Sequence, residues 1–263
     1  MPKLSKFFAL LFALAMSLMA QNAFAQQDQA IQRIKSSGVL RVGIAESPPF
    51  AIKNPANNTW EGFNVDMAND LAKAMGVKLQ IVDSTWPTII SGMMAGQYDV
   101  LMASTFATPD RAMSVVFTDG YIIAGELILV HKDAPFQKHE DLNKAGITLS
   151  ELGGTSNEQT ARTLFPKATI RVLTTENQVA PVLEVANKRA DANVGDANSI
   201  RGFVRANPQA PVRILEPDRQ LNSRFRAYSV RPGEYHLLNF LNTWIESQRL
   251  AGRLQELKEK WEL

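Results

Sequence analysis

The stretch Asp99-Val100-Leu101-Met102-Ala103-Ser104-Thr105-Phe106-Ala107-Thr108-Pro109-Asp110-Arg111 holds a strand, a turn and the start of a helix in sequence. Val100 to Ala103 reads as a buried strand. Thr108 to Asp110 reads as a helix start: the Thr hydroxyl can accept an orphan backbone N–H, proline suits the first helical position, and Asp suits the positive end of the helix dipole. Arg111 does not fit that pattern. A cation in the first turn opposes the dipole, so it is either solvated at the surface or set there to hold an anion. In open α/β sheets ligands collect beyond the carboxyl ends of strands, which is where a carboxylate would meet this guanidinium.

Outward from this stretch, strand-like and helix-like runs alternate. Strands are expected at Leu40–Ile44, Lys78–Val82, Asp99–Ala103, Glu126–His131, Ile147–Leu152, Thr169–Leu173, Ala190–Val194, Val212–Leu215 and Phe225–Val230. Val65, Met67, Leu71, Ala72 and Met75 recur at helical spacing, with Gly76 as the cap that ends the run. Further helical runs cover Thr88–Met94, Glu158–Leu164, Gln178–Asn187 and Asn198–Ala206, and Tyr235 to Trp261 reads as two helices broken near Ala251-Gly252. This alternation predicts α/β units with mainly parallel strands.

Two strands lack a following helix. Glu126–His131 runs into Lys132-Asp133-Ala134-Pro135, and Phe225–Val230 runs into Arg231-Pro232-Gly233. If both pass between lobes, residues 26–131 and 226–263 form one lobe and residues 132–225 an inserted second lobe. Two crossing strands make a hinge, and a cleft between lobes is a preferred ligand site.

The N-terminus has the three-part layout of a secretory signal peptide: Lys3 and Lys6, an apolar run from Phe7 to Ala20, then Ala23-Phe24-Ala25, with cleavage expected after Ala25. That run is short of the roughly 20 residues a membrane span needs, and no later segment approaches it, so no membrane anchor is expected. Cleavage removes two lysines and no acids, which leaves equal numbers of basic and acidic residues and implies neither nucleic acid nor an anionic membrane as partner. The chain has no cysteine, which excludes disulfides, thiolate metal sites and a cysteine nucleophile. Export without disulfides fits a bacterial periplasm. His131, His139 and His236 lack metal-ligand spacing and no Gly-x-Ser-x-Gly elbow occurs, so no metal or cofactor is expected.

The inserted segment repeats the strand-turn-helix arrangement. Ile147–Leu152 runs into Gly153-Gly154 and then Thr155-Ser156-Asn157-Glu158, where Thr155 and Glu158 have capping-box spacing. The turn is open to two readings, a simple cap or N–H groups facing an anion. Asp196, beyond another strand, is either the N-cap of the helix near Asn198 or a carboxylate for a ligand cation. An α-amino acid needs both kinds of partner, an Arg or N–H groups for its carboxylate and an acid for its ammonium. Arg111 and Asp196 offer these from opposite lobes.

In this order and spacing, several segments resemble the polar amino-acid binding proteins of ABC importers, the solute-binding family numbered three. They are Gly38-Val39-Leu40-Arg41-Val42-Gly43, Pro49-Phe50, Gly62-Phe63-Asn64-Val65-Asp66-Met67, Trp86 with Ile89-Ile90, Gly96-Gln97-Tyr98-Asp99, Thr108 to Arg111, Phe117-Thr118 with Tyr121, Gly154-Thr155-Ser156, Ala190-Asp191 with Asp196, and Lys260-Trp261. The resemblance implies a two-lobed, type II periplasmic-binding-protein-like α/β fold with two hinge strands. It also implies a monomeric receptor that passes an amino acid to an inner-membrane ABC permease. Arg111 would then grip the ligand carboxylate with Ser104, Thr155 and Ser156, Asp196 would take the ammonium, and Phe50 and Trp86 would line the side-chain pocket. Trp60 and Tyr121 are structural in this reading. Asn64, Ser47 and Phe106 depart from the family pattern, and Glu46 is a candidate contact to a ligand cation.

The chain also resembles the periplasmic cyclohexadienyl dehydratases, through Trp86-Pro87, the Gly153-Gly154-Thr155 turn with Asn157-Glu158, and Ala161-Arg162. Those enzymes release water and carbon dioxide from prephenate or arogenate. Their general acid is a Glu three residues beyond the Asp that matches Asp196. Here that position is Ser199, too weak an acid for the task, which favours binding over catalysis.

Overall fold

The alternating pattern folds into two mixed sheets, each covered by helices, in a computed structural model that describes residues 29–175 and 177–263. The expected signal peptide and the Ala25 cleavage point lie outside the described residues. In chain order the first part comprises α1 (Ala30–Ser37), β1 (Val39–Ile44), the hairpin β2 (Ile52–Lys53) and β3 (Trp60–Glu61), α2 (Phe63–Met75), β4 (Lys78–Asp83), α3 (Ile89–Met94), β5 (Val100–Leu101), α4 (Pro109–Ala112) and β6 (Val116–Phe117). The middle part comprises β7 (Ile122–His131), β8 (Thr148–Leu152), α5 (Ser156–Leu164), β9 (Thr169–Leu173), α6 (Ala180–Ala186), β10 (Ala192–Asp196), α7 (Ala197–Ala206), β11 (Val212–Leu215) and β12 (Leu221–Arg226). β13 (Ser229–Val230), α8 (Tyr235–Leu250) and α9 (Arg253–Lys260) return to the first sheet.

The first sheet runs β4-β1-β5-β13-β6, and the second runs β11-β7-β10-β8-β9 with β12 also on β7. The expected parallel pairing holds for β1 with β4 and β5, and for β8 with β9 and β10. It fails at β7, which is antiparallel to β10, β11 and β12 because it enters the second sheet directly from the first lobe.

Residues 126–131, expected with the first lobe, hydrogen-bond within the second sheet, and the strand begins four residues earlier, at Ile122. The expected strand Phe225–Val230 is two strands: β12 pairs Arg226 with Ile122 in the second sheet, and β13 pairs Ser229 with Leu101 in the first. The chain therefore crosses between sheets near Tyr121 and near Ala227.

Packing follows strand and helix periodicity. Along β7, Ile128 and Val130 enter one apolar cluster of the second lobe while Leu127 and Leu129 enter another, so both faces are buried. In the first lobe Leu40 and Val42 of β1 meet Phe63, Met67 and Leu71 of α2. Gly76 ends α2 with φ 69°, a left-handed conformation that suits glycine. Asp99, just before β5, accepts from Arg41 Nη2 at 2.6 Å and from the Arg41 backbone N–H at 3.0 Å, tying the key strand to β1. Among the described residues no helix is long and apolar enough to cross a membrane.

Candidate functional site

A cavity of about 480 Å³ lies between the lobes, within the range of small-molecule sites. The first lobe contributes Phe50, Trp86, Ser104, Phe106 and Arg111; the second contributes Leu152, Thr155, Ser156, Val182, Asp196 and Ile200. Seven of the eight sequence-predicted residues are brought together there. Glu46 is the exception: it lines a neighbouring cavity of about 170 Å³ with Lys53, Trp60 and Asp83 and is not on the wall of the interlobe cavity. The Glu46 carbonyl, rather than its carboxylate, approaches the site by accepting from Trp86 Nε1 at 3.1 Å.

Arg111 stands as its local sequence predicts. Thr108 caps α4 by accepting from the Arg111 N–H at 3.3 Å, and Pro109 occupies the first turn. The guanidinium makes two long hydrogen bonds, to the Phe106 carbonyl at 3.3 Å and across the cleft to the Gly154 carbonyl at 3.4 Å. Burial and the nearby Arg224 cation lower its pKa, against the pull of Asp110 and Glu126. Such a cation is stabilised by an incoming anion.

The turn at 153–158 is a cap first. Thr155 Oγ1 accepts from the Glu158 N–H at 3.2 Å and donates to the Leu152 carbonyl at 2.7 Å. The Glu158 carboxylate accepts from Gly154 N–H at 3.0 Å, one residue before the amide a capping box would use. That N–H is no longer available to an anion, while Thr155 and Ser156 remain on the cavity wall.

Asp196 is the N-cap that one of its two readings expected, and it also lines the cavity. Its Oδ1 caps α7, accepting from Asn198 N–H at 3.1 Å and Ser199 N–H at 3.0 Å. Its Oδ2 is held by Arg226, a residue the sequence reading did not single out. The Arg226 side chain is 4% exposed and lies 4.3 Å from the Phe50 ring centroid and 4.4 Å from that of Phe106. It also donates to the carbonyl and hydroxyl of Ser104, whose φ of 58° is an uncommon, strained conformation for a residue other than glycine. Ser104 therefore serves Arg226 directly. Burial lowers the Arg226 pKa to about 10, so it stays a cation at neutral pH. The only local signal for it was an arginine inside a strand-like run.

Further polar contacts span the cleft. Trp86 Nε1 donates to Gln178 Oε1 at 3.1 Å, and Ser199 Oγ donates to the Pro48 carbonyl at 2.6 Å. Arg205 and Glu262 pair at 2.6 Å near the outer edge. Behind the cleft, Asn64 is fully buried and its Oδ1 accepts from Tyr121 and Tyr228 at 3.2 and 3.3 Å. Tyr121 stacks between Phe63 and Tyr228, and burial pushes its pKa up to about 12.

The model of the bacterial extracellular solute-binding proteins, family 3, matches residues 40–263. The chain belongs to that family. Cyclohexadienyl dehydratase of Pseudomonas aeruginosa is 28% identical to this family 3 protein over 265 residues, covering 99% of this chain and 96% of the dehydratase. The glutamine-binding protein of Geobacillus stearothermophilus is 30% identical over 190 residues, 71% of each chain. Among solved structures, an ancestral amino acid-binding protein described as a precursor of cyclohexadienyl dehydratase superposes with a TM-score of 0.80 at 35% identity, covering 88% of this chain and 98% of that one. The architecture is the two-lobed, type II periplasmic-binding-protein fold that the sequence implied.

Proposed function

We propose that this protein is a periplasmic receptor that closes its two lobes on an amino acid and delivers it to an inner-membrane ABC permease. The observation that carries the reading is Arg111, which has no acidic side chain within ion-pair distance among the described residues and lines an interlobe cavity opposite Thr155, Ser156 and Asp196. Arg111 receives the ligand carboxylate beside Thr155 and Ser156. Asp196 faces the ammonium, and Phe50 and Trp86 bound the side chain. Contacts from both lobes exist together only when the cleft is shut, so ligand binding energy biases an open-closed equilibrium. The receptor is exported with its signal peptide cleaved after Ala25, works as a monomer, and is recognised by the permease in its closed form.

The dehydratase reading has specific support in the Pseudomonas aeruginosa relative. Against it, Ser199 stands where the acid is needed, and its hydroxyl is bonded to the Pro48 carbonyl at 2.6 Å. A thermal-shift screen of the mature protein against all amino acids, prephenate and arogenate separates the two readings, because a specific ligand raises Tm by mass action. Stabilisation by an amino acid, with no phenylpyruvate formed in the prephenate samples, is the expected result. Turnover well above background would overturn the pure receptor reading.

A further inference from the structure

Charge in the cleft does not balance. Three groups at its centre are charged: Arg111, Arg226 and Asp196. Arg226 and Asp196 neutralise one another through a direct contact in which the arginine side chain is 4% and the aspartate side chain 13% exposed. Both Asp196 oxygens are engaged, one by Arg226 and one by two backbone N–H groups. Glu151 also lines the cavity, but it is fully buried, accepts from Val194 N–H at 2.8 Å and has no cation within ion-pair distance among the described residues; burial without a counter-ion favours its neutral form and raises its pKa. Behind Phe106, Arg224 pairs with Glu126 at 3.4 Å, so these two charges cancel one another. At the outer edge Arg205 pairs with Glu262 and Lys260 with Asp66, all more exposed and better screened. One positive charge, that of Arg111, remains uncompensated.

We propose that the cleft selects a carboxylate ligand with one net negative charge, and that Arg226 is the residue that sets this preference. The proposal rests on the receptor reading and narrows it. A neutral zwitterion would leave one positive charge shut in the closed cleft, and a cationic amino acid would leave two. A buried charge without a partner costs several kcal/mol. Two kinds of molecule carry the required charge: an acidic amino acid, whose ammonium reaches what remains of the Asp196 acceptor capacity, and an amine-free monocarboxylate, which leaves Asp196 wholly to Arg226. The Phe50 and Phe106 rings both lie against the Arg226 guanidinium, so it cannot leave the cleft without losing both ring contacts.

Isothermal titration with two near-isosteric pairs tests the proposal: L-glutamate against L-glutamine, and 3-phenylpropionate against L-phenylalanine, with L-arginine and L-lysine as cationic controls. The net-anionic member of at least one pair should bind about tenfold or more tightly than its partner. Arg226→Met, which retains much of the packing volume between the rings, should abolish or reverse that preference, and Arg226→Lys should retain it. If the Met variant does not fold, the wild-type ratios and the Lys variant decide the matter. Tighter binding of glutamine and phenylalanine than of their anionic counterparts, or of arginine or lysine than of any of these, overturns the inference and leaves the receptor reading standing. An unchanged ratio in Arg226→Met overturns the role of Arg226. Failure of any amino acid or carboxylate to bind at millimolar concentration overturns the receptor reading and the inference with it. Preference for 3-phenylpropionate with no amino acid bound supports the charge rule and overturns the amino-acid assignment.

Discussion

The two lobes build their halves of the cleft by different means. The first lobe presents side chains from loops and one short helix: Phe50, Trp86, Phe106 and Arg111 all lie outside its strands, and α4, which carries Arg111, is only four residues long. The second lobe presents the starts of regular helices, with Thr155 capping the nine-residue α5 and Asp196 capping the ten-residue α7. A capped helix fixes its polar groups through backbone geometry, whereas aromatic and guanidinium groups on loops are fixed by one another. Changes in the first lobe should therefore act chiefly on affinity, and changes in the second on the stability and closure of the site.

The largest effect is expected on the first-lobe side. Arg111→Ala removes the carboxylate partner and should cost about 3–5 kcal/mol of binding, roughly a 10²–10³-fold or greater loss by calorimetry, with little change in unliganded Tm. A loss under tenfold would reduce Arg111 to a surface residue. Asp196→Asn tests the second lobe: Asn can still cap α7, but Arg226 loses its counter-ion. Folding stability should fall by about 3 kcal/mol, read from denaturant unfolding of the unliganded protein. A stability within error of wild type would show that the pair contributes nothing net.

Gly154→Ala tests the contact between halves. A Cβ there would lie 2.8 Å from Pro87 Cα and 3.1 Å from the Trp86 carbonyl carbon, and Gly154 has φ 76°. Both lobes would have to part, so affinity should drop about tenfold and the ligand-induced compaction seen by small-angle scattering should shrink. The smallest effect concerns Glu151. Above pH 4.5, its ordinary value, and below its raised pKa, the folded protein keeps a proton that the unfolded chain has lost, so stability falls as pH rises. Glu151→Gln removes that titration, and its Tm–pH curve should be flatter than that of wild type above pH 4.5. Equal slopes would mean that Glu151 is ionised in the fold. Buried Glu126, also raised, supplies slope that persists in the variant.

Features encoded by neighbours in sequence were legible from the chain. The Thr108-Pro109 start of α4 and the glycine cap at Gly76 needed only local rules. β9 and β11 fall at their expected bounds because their flanking turns delimit them. The start of β7 was missed around Gly125, where the side chain of Gln220, distant in the chain, fills the space that a Cβ would occupy and accepts from the Gly125 N–H at 3.1 Å. Arg226 was missed for a different reason. Its environment comes from Phe50, Ser104, Phe106 and Asp196, which lie far away along the chain, and no local pattern distinguishes a buried arginine in a strand from an exposed one.

The antiparallel pairing of Arg226 with Ile122 means that the two chain crossings run side by side, and Arg226 sits at that crossing. Displacement on rotation grows with distance from the axis. In a rotation about the crossings Arg226 would travel least, while Arg205, about 13.5 Å along α7 from Asp196, would swing through a wider arc. If the lobes turn about the crossings, the Arg205–Glu262 edge parts first, while the charged pair beside the crossings is still made.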